Sequence, residues 1–258
     1  MLKFFTDTIK YNQVLKQLVH QQITMRYRRT IFGFFWTLLN PLLNMAIISV
    51  VFSLVMRFQI HEYAIFLFSA MIPWAIFSAS LSQSATALLA NEHLFKKVYL
   101  PKQLFVLSTV VSTIIDSVLS TACLFVIAFV IGAKLTTALL FLPVAFILLG
   151  IFTLGLSLFL SIITVYYRDV QYLVGVILQA LYFATPIIYP IESIPEQYHS
   201  VFTWNPMYYF VKLFRDPIYN GVFPDQDSLL ICGISAVAVL VLGILFFTKN
   251  DKKVIFRL

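Results

Sequence analysis

The chain has 258 residues, of which 60% are hydrophobic and only 11% are charged, with a net charge of +7. Soluble domains keep roughly a quarter of their residues charged, so these side chains could not cover a water-exposed surface. The composition excludes a soluble globular protein and predicts an all-α polytopic membrane protein.

Residues 1–29 precede the first long apolar run and are predicted to lie on the cytoplasmic side. Within them, residues 9–25 place Val14, Leu18 and Ile23 on one helical face, with polar side chains largely on the other. This pattern is typical of an amphipathic interface helix. An ordinary juxtamembrane anchor is the alternative.

This segment ends in a basic cluster, Arg26, Tyr27, Arg28 and Arg29. Clustered arginines at a membrane surface usually pair with anionic lipid headgroups. Guanidinium groups also match phosphate oxygens, so the cluster is a candidate site for the pyrophosphate of a lipid-linked substrate.

Six charge-poor stretches are each long enough for the roughly 20 residues that a membrane-spanning helix needs. Such long continuous runs differ from the short alternating strands of a β-barrel. With both termini cytoplasmic, 14 of the 18 Lys and Arg residues fall on the cytoplasmic side, as the positive-inside rule requires. This asymmetry accounts for the basic charge without a nucleic-acid partner. The predicted spans are 30–56, 63–90, 104–133, 138–167, 170–190 and 228–248.

The predicted cytoplasmic loop 91–103 mixes charged residues with five bulky apolar side chains, Leu94, Phe95, Val98, Tyr99 and Leu100. Apolar side chains in water are typical of a surface that docks into a partner protein. A loop folded back on the membrane is the alternative.

The third span contains an intramembrane carboxylate, Asp116. Ser108, Ser112, Asp116 and Ser120 recur every four residues, so a helix places them on one face. An ionisable residue inside a membrane is a functional candidate, and an interhelical hydrogen bond is the alternative. No second ionisable residue lies at similar depth on another predicted span, which argues against a proton relay.

Arg168 and Asp169 are adjacent at the cytoplasmic end of the fourth span. They are candidates for a local ion pair that fixes the turn, or for part of a gate.

The outer segment 191–222 is rich in proline and aromatic residues. It is too apolar for a free loop and too rich in proline for one straight helix. We therefore predict short re-entrant helices in the outer leaflet, where aromatic side chains are favoured. The candidate functional residues of this outer region are Tyr189, Trp204, Asn205 and Arg215.

Motifs for catalysis and nucleotide binding are missing from the sequence. It contains no G-x-x-x-x-G-K-[ST] phosphate loop, no H-E-x-x-H and no His/Cys cluster with metal-ligand spacing. The sequence therefore predicts a chain that is not an enzyme and holds no metal or cofactor of its own.

Six segments, taken in order, resemble the membrane subunit of an ABC-2 type exporter, and most closely the exporters of O-antigen, capsule or teichoic acid precursors. Each segment is a weak signal alone, whereas six in the same order and spacing are a strong one. The segments are RYRRTIFGFFWTLLNPL (26–42), IPWAIFS (72–78), NEHLFKKVYLPKQ (91–103), YYRDVQYL (166–173), TPIIYP (185–190) and WNPMYYFVKLFRDPI (204–218).

The resemblance implies a homodimer in the bacterial cytoplasmic membrane, paired with two copies of a separate ATP-binding subunit that holds ATP and Mg. It implies a glycan on an undecaprenyl pyrophosphate carrier as the substrate, bound through Arg26 to Arg29. It also makes residues 1–29 the interface helix and 91–103 the coupling helix. The coupling residues would be Glu92, His93, Leu94, Phe95, Lys96 and Lys97.

Sugar rings stack on aromatic side chains, so several aromatic residues of the first two spans are candidates for a channel lining. Contact with lipid is the alternative for each of them. These candidates are Phe32, Phe35, Trp36, Trp74 and Phe77.

Two other functions fit parts of the sequence. The same fold could export drugs or small lipids, which genomic context would distinguish. A membrane-embedded glycosyltransferase or acyltransferase would need a paired-carboxylate metal site or a catalytic His, and the sequence shows neither. A passive channel would have no use for a docking loop at 91–103.

Overall fold

The computed structural model describes residues 2–28, 32–33, 35–56, 60–95, 97–130, 136–254 and 257. Every regular element within these residues is helical, as predicted. Short 3-10 turns cover Thr137–Phe141, Ile191–Ser193 and Glu196–Tyr198, and a π turn covers Asp216–Asn220. The helices are α1 (Leu2–Lys10), α2 (Asn12–Tyr27), α3 (Phe35–Met56), α4 (Ile60–Ala90), α5 (Glu92–Phe95), α6 (Gln103–Val130), α7 (Leu142–Tyr166), α8 (Val170–Phe183), α9 (His199–Thr203), α10 (Pro206–Arg215) and α11 (Gln226–Val254).

Four stretches of the described chain are long and apolar enough to cross a membrane, and they overlap four of the six predicted spans. The apolar stretches in α3 and α8 are shorter, at Leu42–Phe52 and Val170–Phe183. The spans at 30–56 and 170–190 therefore stay predictions. The four long stretches are Glu62–Ala90, Gln103–Ala122, Thr137–Tyr166 and Gln226–Asp251.

Helix α8 ends at Phe183, seven residues before the predicted end of the fifth span. Pro186 and Pro190 follow closely, and proline lacks the N–H that a helix needs and disfavours helical geometry in the preceding residue. The Ala184 N–H donates to the Ala180 carbonyl and closes the last turn at 3.0 Å. The chain then enters the outer segment.

Helix α7 lies at the centre of the packing, between α4 and α11. Phe77 of α4 stacks with Phe152 of α7, with ring centroids 6.1 Å apart. On the α11 side, a Cβ atom at Gly243 would lie 2.3 Å from the Gly155 carbonyl oxygen. The two backbones therefore touch, and glycine is needed at this crossing because it has no side chain.

Helix α6 runs without a break through Asp116. Several of its neighbouring hydroxyl groups donate within the helix. Ser108 and Thr109, for example, both donate to the Phe105 carbonyl at 2.9 Å. Side-chain hydroxyls commonly bond to the preceding turn in this way. Asp116 itself turns towards α2, which packs along α6.

The predicted amphipathic segment forms two helices, α1 and α2, which meet at Tyr11. Phe4 of α1 is buried against Phe247 of α11, with an edge-to-face ring contact at 6.4 Å. Its carbonyl accepts a hydrogen bond from the Gln103 side chain at 3.4 Å. The N-terminus is thus fixed to the first residue of α6.

The outer segment forms a series of short helices instead of one long helix, as its prolines predict. Pro206 occupies the first turn of α10, where a missing N–H leaves no helical hydrogen bond unmade. Phe210 and Phe214 are fully buried, and α10 packs against α4 and α11.

Candidate substrate-binding and coupling sites

The end of α2 is bonded to an intramembrane carboxylate. The Tyr27 hydroxyl donates to Asp116 Oδ1 at 2.9 Å, and Arg26 Nη1 forms an ion pair with Asp116 Oδ2. Arg26 Nη2 also donates to Gln83 Oε1 of α4 at 3.0 Å. Consecutive residues of α2 therefore occupy both oxygens of Asp116, whose side chain is only 9% exposed.

A second set of polar contacts lies one turn earlier on the same face of α2. Gln22 Nε2 donates to Ser108 Oγ at 3.0 Å and to Thr109 Oγ1 at 3.3 Å. Gln22 Oε1 accepts from Ser112 Oγ at 2.8 Å. Gln22 and Arg26, four residues apart, thus match the four-residue spacing of Ser112 and Asp116.

Arg28 is the next arginine of the basic cluster. It is exposed and follows the last residue of α2, and its backbone N–H donates to the Thr24 carbonyl at 3.0 Å. Arg29 lies outside the described residues. Within the predicted basic cluster, both Arg26 and Arg28 are exposed, and Arg26 is already paired with the buried carboxylate of Asp116.

The aromatic candidates fall into two groups. Phe32, Phe35 and Trp36 are exposed near the start of α3, and the rings of Phe32 and Trp36 meet edge to face at 5.5 Å. Trp74 is partly buried and contacts Tyr182 at 5.4 Å. Phe77 is buried in the core against Phe152, so it faces no open passage within this chain.

The loop 91–103 exposes only some of the apolar residues that the sequence predicts to be exposed. Phe95 is buried, with its ring edge to face with Phe105 at 4.8 Å, and Leu94 packs on the same cluster. Val98 and Tyr99, in contrast, are 56% and 74% exposed. Of the other predicted coupling residues, His93 and Lys97 are exposed, Glu92 is half-buried and Lys96 lies outside the described residues.

The end of this loop is tied to the C-terminal part of α11. Lys102 is buried, and its Nζ lies 2.9 Å from both Asp251 Oδ1 and the Asp251 carbonyl oxygen. Sequence analysis missed this pair because nothing in the spacing of residues 102 and 251 indicates their contact.

Arg168 and Asp169 are both exposed in the turn between α7 and α8. The Asp169 carbonyl accepts from the Tyr172 N–H at 3.0 Å and from the Leu173 N–H at 3.2 Å. Asp169 therefore helps to start α8 through its backbone.

The outer segment is held by side chains that bond to the chain after α8. Asn205 Nδ2 donates to Thr185 Oγ1 at 2.9 Å, while its Oδ1 caps α10 through the Met207 N–H at 3.0 Å. Arg215 donates to the Pro186 carbonyl at 2.8 Å and lies 3.9 Å from the Phe66 ring centroid. Burial lowers the pKa of Arg215 to about 10, so it remains a cation at neutral pH.

Beside these contacts is an open apolar cleft of about 530 Å³. The Tyr189 hydroxyl, at one wall, donates to the Phe183 carbonyl. Trp204 is highly exposed at the end of α9. The cleft is lined by Tyr189, Ser193, Ile194, Tyr198, Val201 and Phe202.

Comparison with known proteins identifies the family of the chain. Residues 13–219 match the family described as ABC-2 type transporter. The chain belongs to the ABC-2 type transporter family. It is therefore a transport permease, and the membrane-enzyme alternatives are set aside.

This ABC-2 permease is similar along nearly its full length to proteins with related names. It is 32% identical over 244 residues to the O-antigen export system permease protein RfbA of Myxococcus xanthus, covering 94% of this chain and 93% of that protein. It is 25% identical over 249 residues to the polysialic acid transport protein KpsM of Escherichia coli, covering 92% and 93%. It is 24% identical over 248 residues to the capsule polysaccharide export inner-membrane protein BexB of Haemophilus influenzae, covering 93% and 92%.

Proposed function

We propose that this chain is the permease subunit of an ABC exporter that moves a lipid-linked polysaccharide from the cytoplasm to the outer face of the bacterial inner membrane. The observation that carries this proposal is its full-length similarity to permeases named for the export of O-antigen, polysialic acid and capsule polysaccharide. The working unit would be a homodimer with six spans per copy and both termini in the cytoplasm.

Two copies of a separate ATP-binding subunit would supply the energy, since this chain has no phosphate loop of its own. ATP and Mg would be held there. Loop 91–103 would be the contact, and its exposed side chains Val98 and Tyr99 would enter the ATPase surface. Exposed apolar anchors of this kind typically contribute most of the binding energy of an interface.

The substrate headgroup would bind at the end of α2, in the stretch from Arg26 to Arg29. Arginine suits a pyrophosphate because its planar group donates to two oxygens at once. The exposed rings of Phe32, Phe35 and Trp36 follow directly in the chain. A lipid-linked glycan would thus find its phosphate and stacking partners next to each other.

The outer segment would form the exit. Its aromatic cleft and the exposed Trp204 offer stacking surfaces for sugar rings, while Asn205 and Arg215 hold the short helices in place.

Deletion of the gene in its host tests the cargo. We expect surface polysaccharide to disappear and lipid-linked glycan to accumulate inside the cell, with both effects reversed by the gene on a plasmid. Unchanged surface polysaccharide would refute glycan export.

Variants of the loop test the coupling contact. An exposed tyrosine that becomes buried removes roughly 100 Å² of apolar surface from water, worth about 2.5 kcal/mol at 25 cal/mol per Å². Tyr99→Ala should therefore weaken ATPase binding by roughly 60-fold. Tyr198→Ala, the same substitution on the outer segment, is the matched control and should leave ATPase binding unchanged. Equal retention of the ATPase by both variants during purification would contradict the coupling assignment.

A further inference from the structure

The guanidinium group of Arg26, whose side chain is 32% exposed, is bonded at both terminal nitrogens. One terminal nitrogen pairs with Asp116 of α6 and the other donates to Gln83 of α4. The hydroxyl of Tyr27 takes the second oxygen of the same carboxylate. Three helices therefore meet at Arg26, and its guanidinium group already has an anionic partner inside the protein.

Breaking this pair would be costly. The Asp116 side chain is only 9% exposed, so it would lose its counter-charge in a largely buried place. Removing the partner of a buried carboxylate is more destabilising than breaking a fully exposed pair, since the remaining charge stays poorly solvated. A phosphate that bound Arg26 in place of Asp116 would impose this cost.

Gln22 fixes the same helix face one turn earlier. Its amide bonds to Ser108, Thr109 and Ser112, so α2 is held along α6 from Ser108 to Asp116. These contacts set both the position of α2 along α6 and its rotation. They also determine where Arg28, the exposed residue that follows α2, is presented.

We propose that Arg26 and Asp116 form a strut that positions the end of α2, and that Arg28, not Arg26, binds the substrate phosphate. This inference rests on the proposed function, because it divides the proposed headgroup site into a positioning residue and a ligand. A residue that only positions α2 can carry either sign of charge, as long as its partner carries the opposite one. A residue that binds phosphate must be a cation.

That difference defines the experiment. The paired reversal R26D/D116R restores opposite charges, and R26Q/D116N replaces the ion pair by a neutral hydrogen bond. Each is compared with R26D, D116R and R28A in the permease–ATPase complex in nanodiscs. The first readout is the undecaprenyl pyrophosphate concentration that half-maximally stimulates ATP hydrolysis. The second is disulfide formation in each variant combined with Q22C/S112C, because this disulfide reports the position of α2 along α6.

We expect R26D and D116R to lose the disulfide and to require at least about tenfold more undecaprenyl pyrophosphate. At least one paired variant should regain both properties to within about threefold, as coupled residues do when their interaction is restored. R28A should keep the disulfide and still require about tenfold more of the lipid.

Two results would overturn the proposal. One is a paired variant that regains the disulfide but not the response to the lipid, because Arg26 would then itself contact phosphate. The other is an R28A variant with the wild-type response. Failure of undecaprenyl pyrophosphate to stimulate the wild-type complex would instead refute the proposed headgroup, while the disulfide would still report whether the strut exists.

Discussion

The crossing of α7 and α11 yields a sharp prediction, because two glycines of α11 differ in their surroundings. A Cβ atom at Gly243 would lie 2.3 Å from the Gly155 carbonyl oxygen and 2.9 Å from its Cα atom. At Gly233, on the same helix, a Cβ atom would meet nothing within 4 Å. Gly243→Ala should therefore force the two helices apart, while Gly233→Ala should not.

The expected difference follows from two opposing terms. Alanine is about 1 kcal/mol better than glycine inside a helix, and both variants gain this amount. Overpacking costs about 1–3 kcal/mol, and the approach at Gly243 calls for a cost at the upper end or beyond, since the contact is roughly 1 Å too short for ordinary packing. Only Gly243→Ala bears this cost.

Thermal unfolding of the purified protein in one detergent measures the effect. A chain of 150–250 residues shifts its melting temperature by roughly 2–4 °C per kcal/mol. We expect Gly243→Ala to melt roughly 2–12 °C below Gly233→Ala. Melting of the two variants at the same temperature would refute the close backbone contact.

Three further predictions concern polar contacts. At the Lys102–Asp251 pair, Asp251→Ala should destabilise the protein by about 1–3 kcal/mol and Lys102→Met by less. The reason is that the lysine left behind by Asp251→Ala is buried, whereas the aspartate left behind by Lys102→Met is 38% exposed and can be hydrated. The reverse order of stability in thermal unfolding would contradict this. At the outer segment, burial acts to raise the pKa of Asp225, but hydrogen bonds from Lys212 and Ser228 outweigh it and lower the pKa to about 2. The stability that this contact contributes is therefore present above the ordinary aspartate pKa of about 4 and is lost as the pH falls towards 2. The contribution stays below about 1 kcal/mol because the Lys212 and Asp225 side chains are both more than a third exposed. The melting temperatures of wild type and Asp225→Asn should converge over that range, and a constant difference would refute the assignment. Finally, Arg215→Met should loosen the outer segment, measured as faster hydrogen exchange at residues 186–188. Arg215→Lys should speed the exchange less, because lysine keeps a donor near the Pro186 carbonyl. Equal exchange in both variants would show that the donor is unimportant.

Much of the site could be named from the sequence because its members lie close together in the chain. The basic cluster at 26–29 and the apolar loop at 91–103 are continuous segments. Their composition alone indicates a phosphate partner and a docking surface. The sequence could not tell which members face outwards. It predicted all the bulky apolar side chains of the loop to be exposed, whereas Leu94 and Phe95 pack inwards and Val98 and Tyr99 are exposed.

Asp116 shows where sequence reasoning stops. The sequence has no ionisable residue at the depth of Asp116 on another predicted span, and its partner is Arg26 of α2, which precedes the first predicted span. The matching four-residue spacings of Gln22 with Arg26 and of Ser112 with Asp116 were visible in the sequence. They gain meaning only when two helices are known to be neighbours.

The sequence by itself determined the membrane environment, the helical class and the transporter resemblance, and it predicts the orientation. Each of these depends on composition or on short-range order, since hydrophobic length and charge asymmetry act locally along the chain. The tertiary structure decided which helix ends where, which glycines touch and which carboxylate meets which arginine. Those features depend on contacts between residues that are far apart in the chain, such as Arg26 with Asp116 and Lys102 with Asp251. No local sequence pattern encodes such contacts.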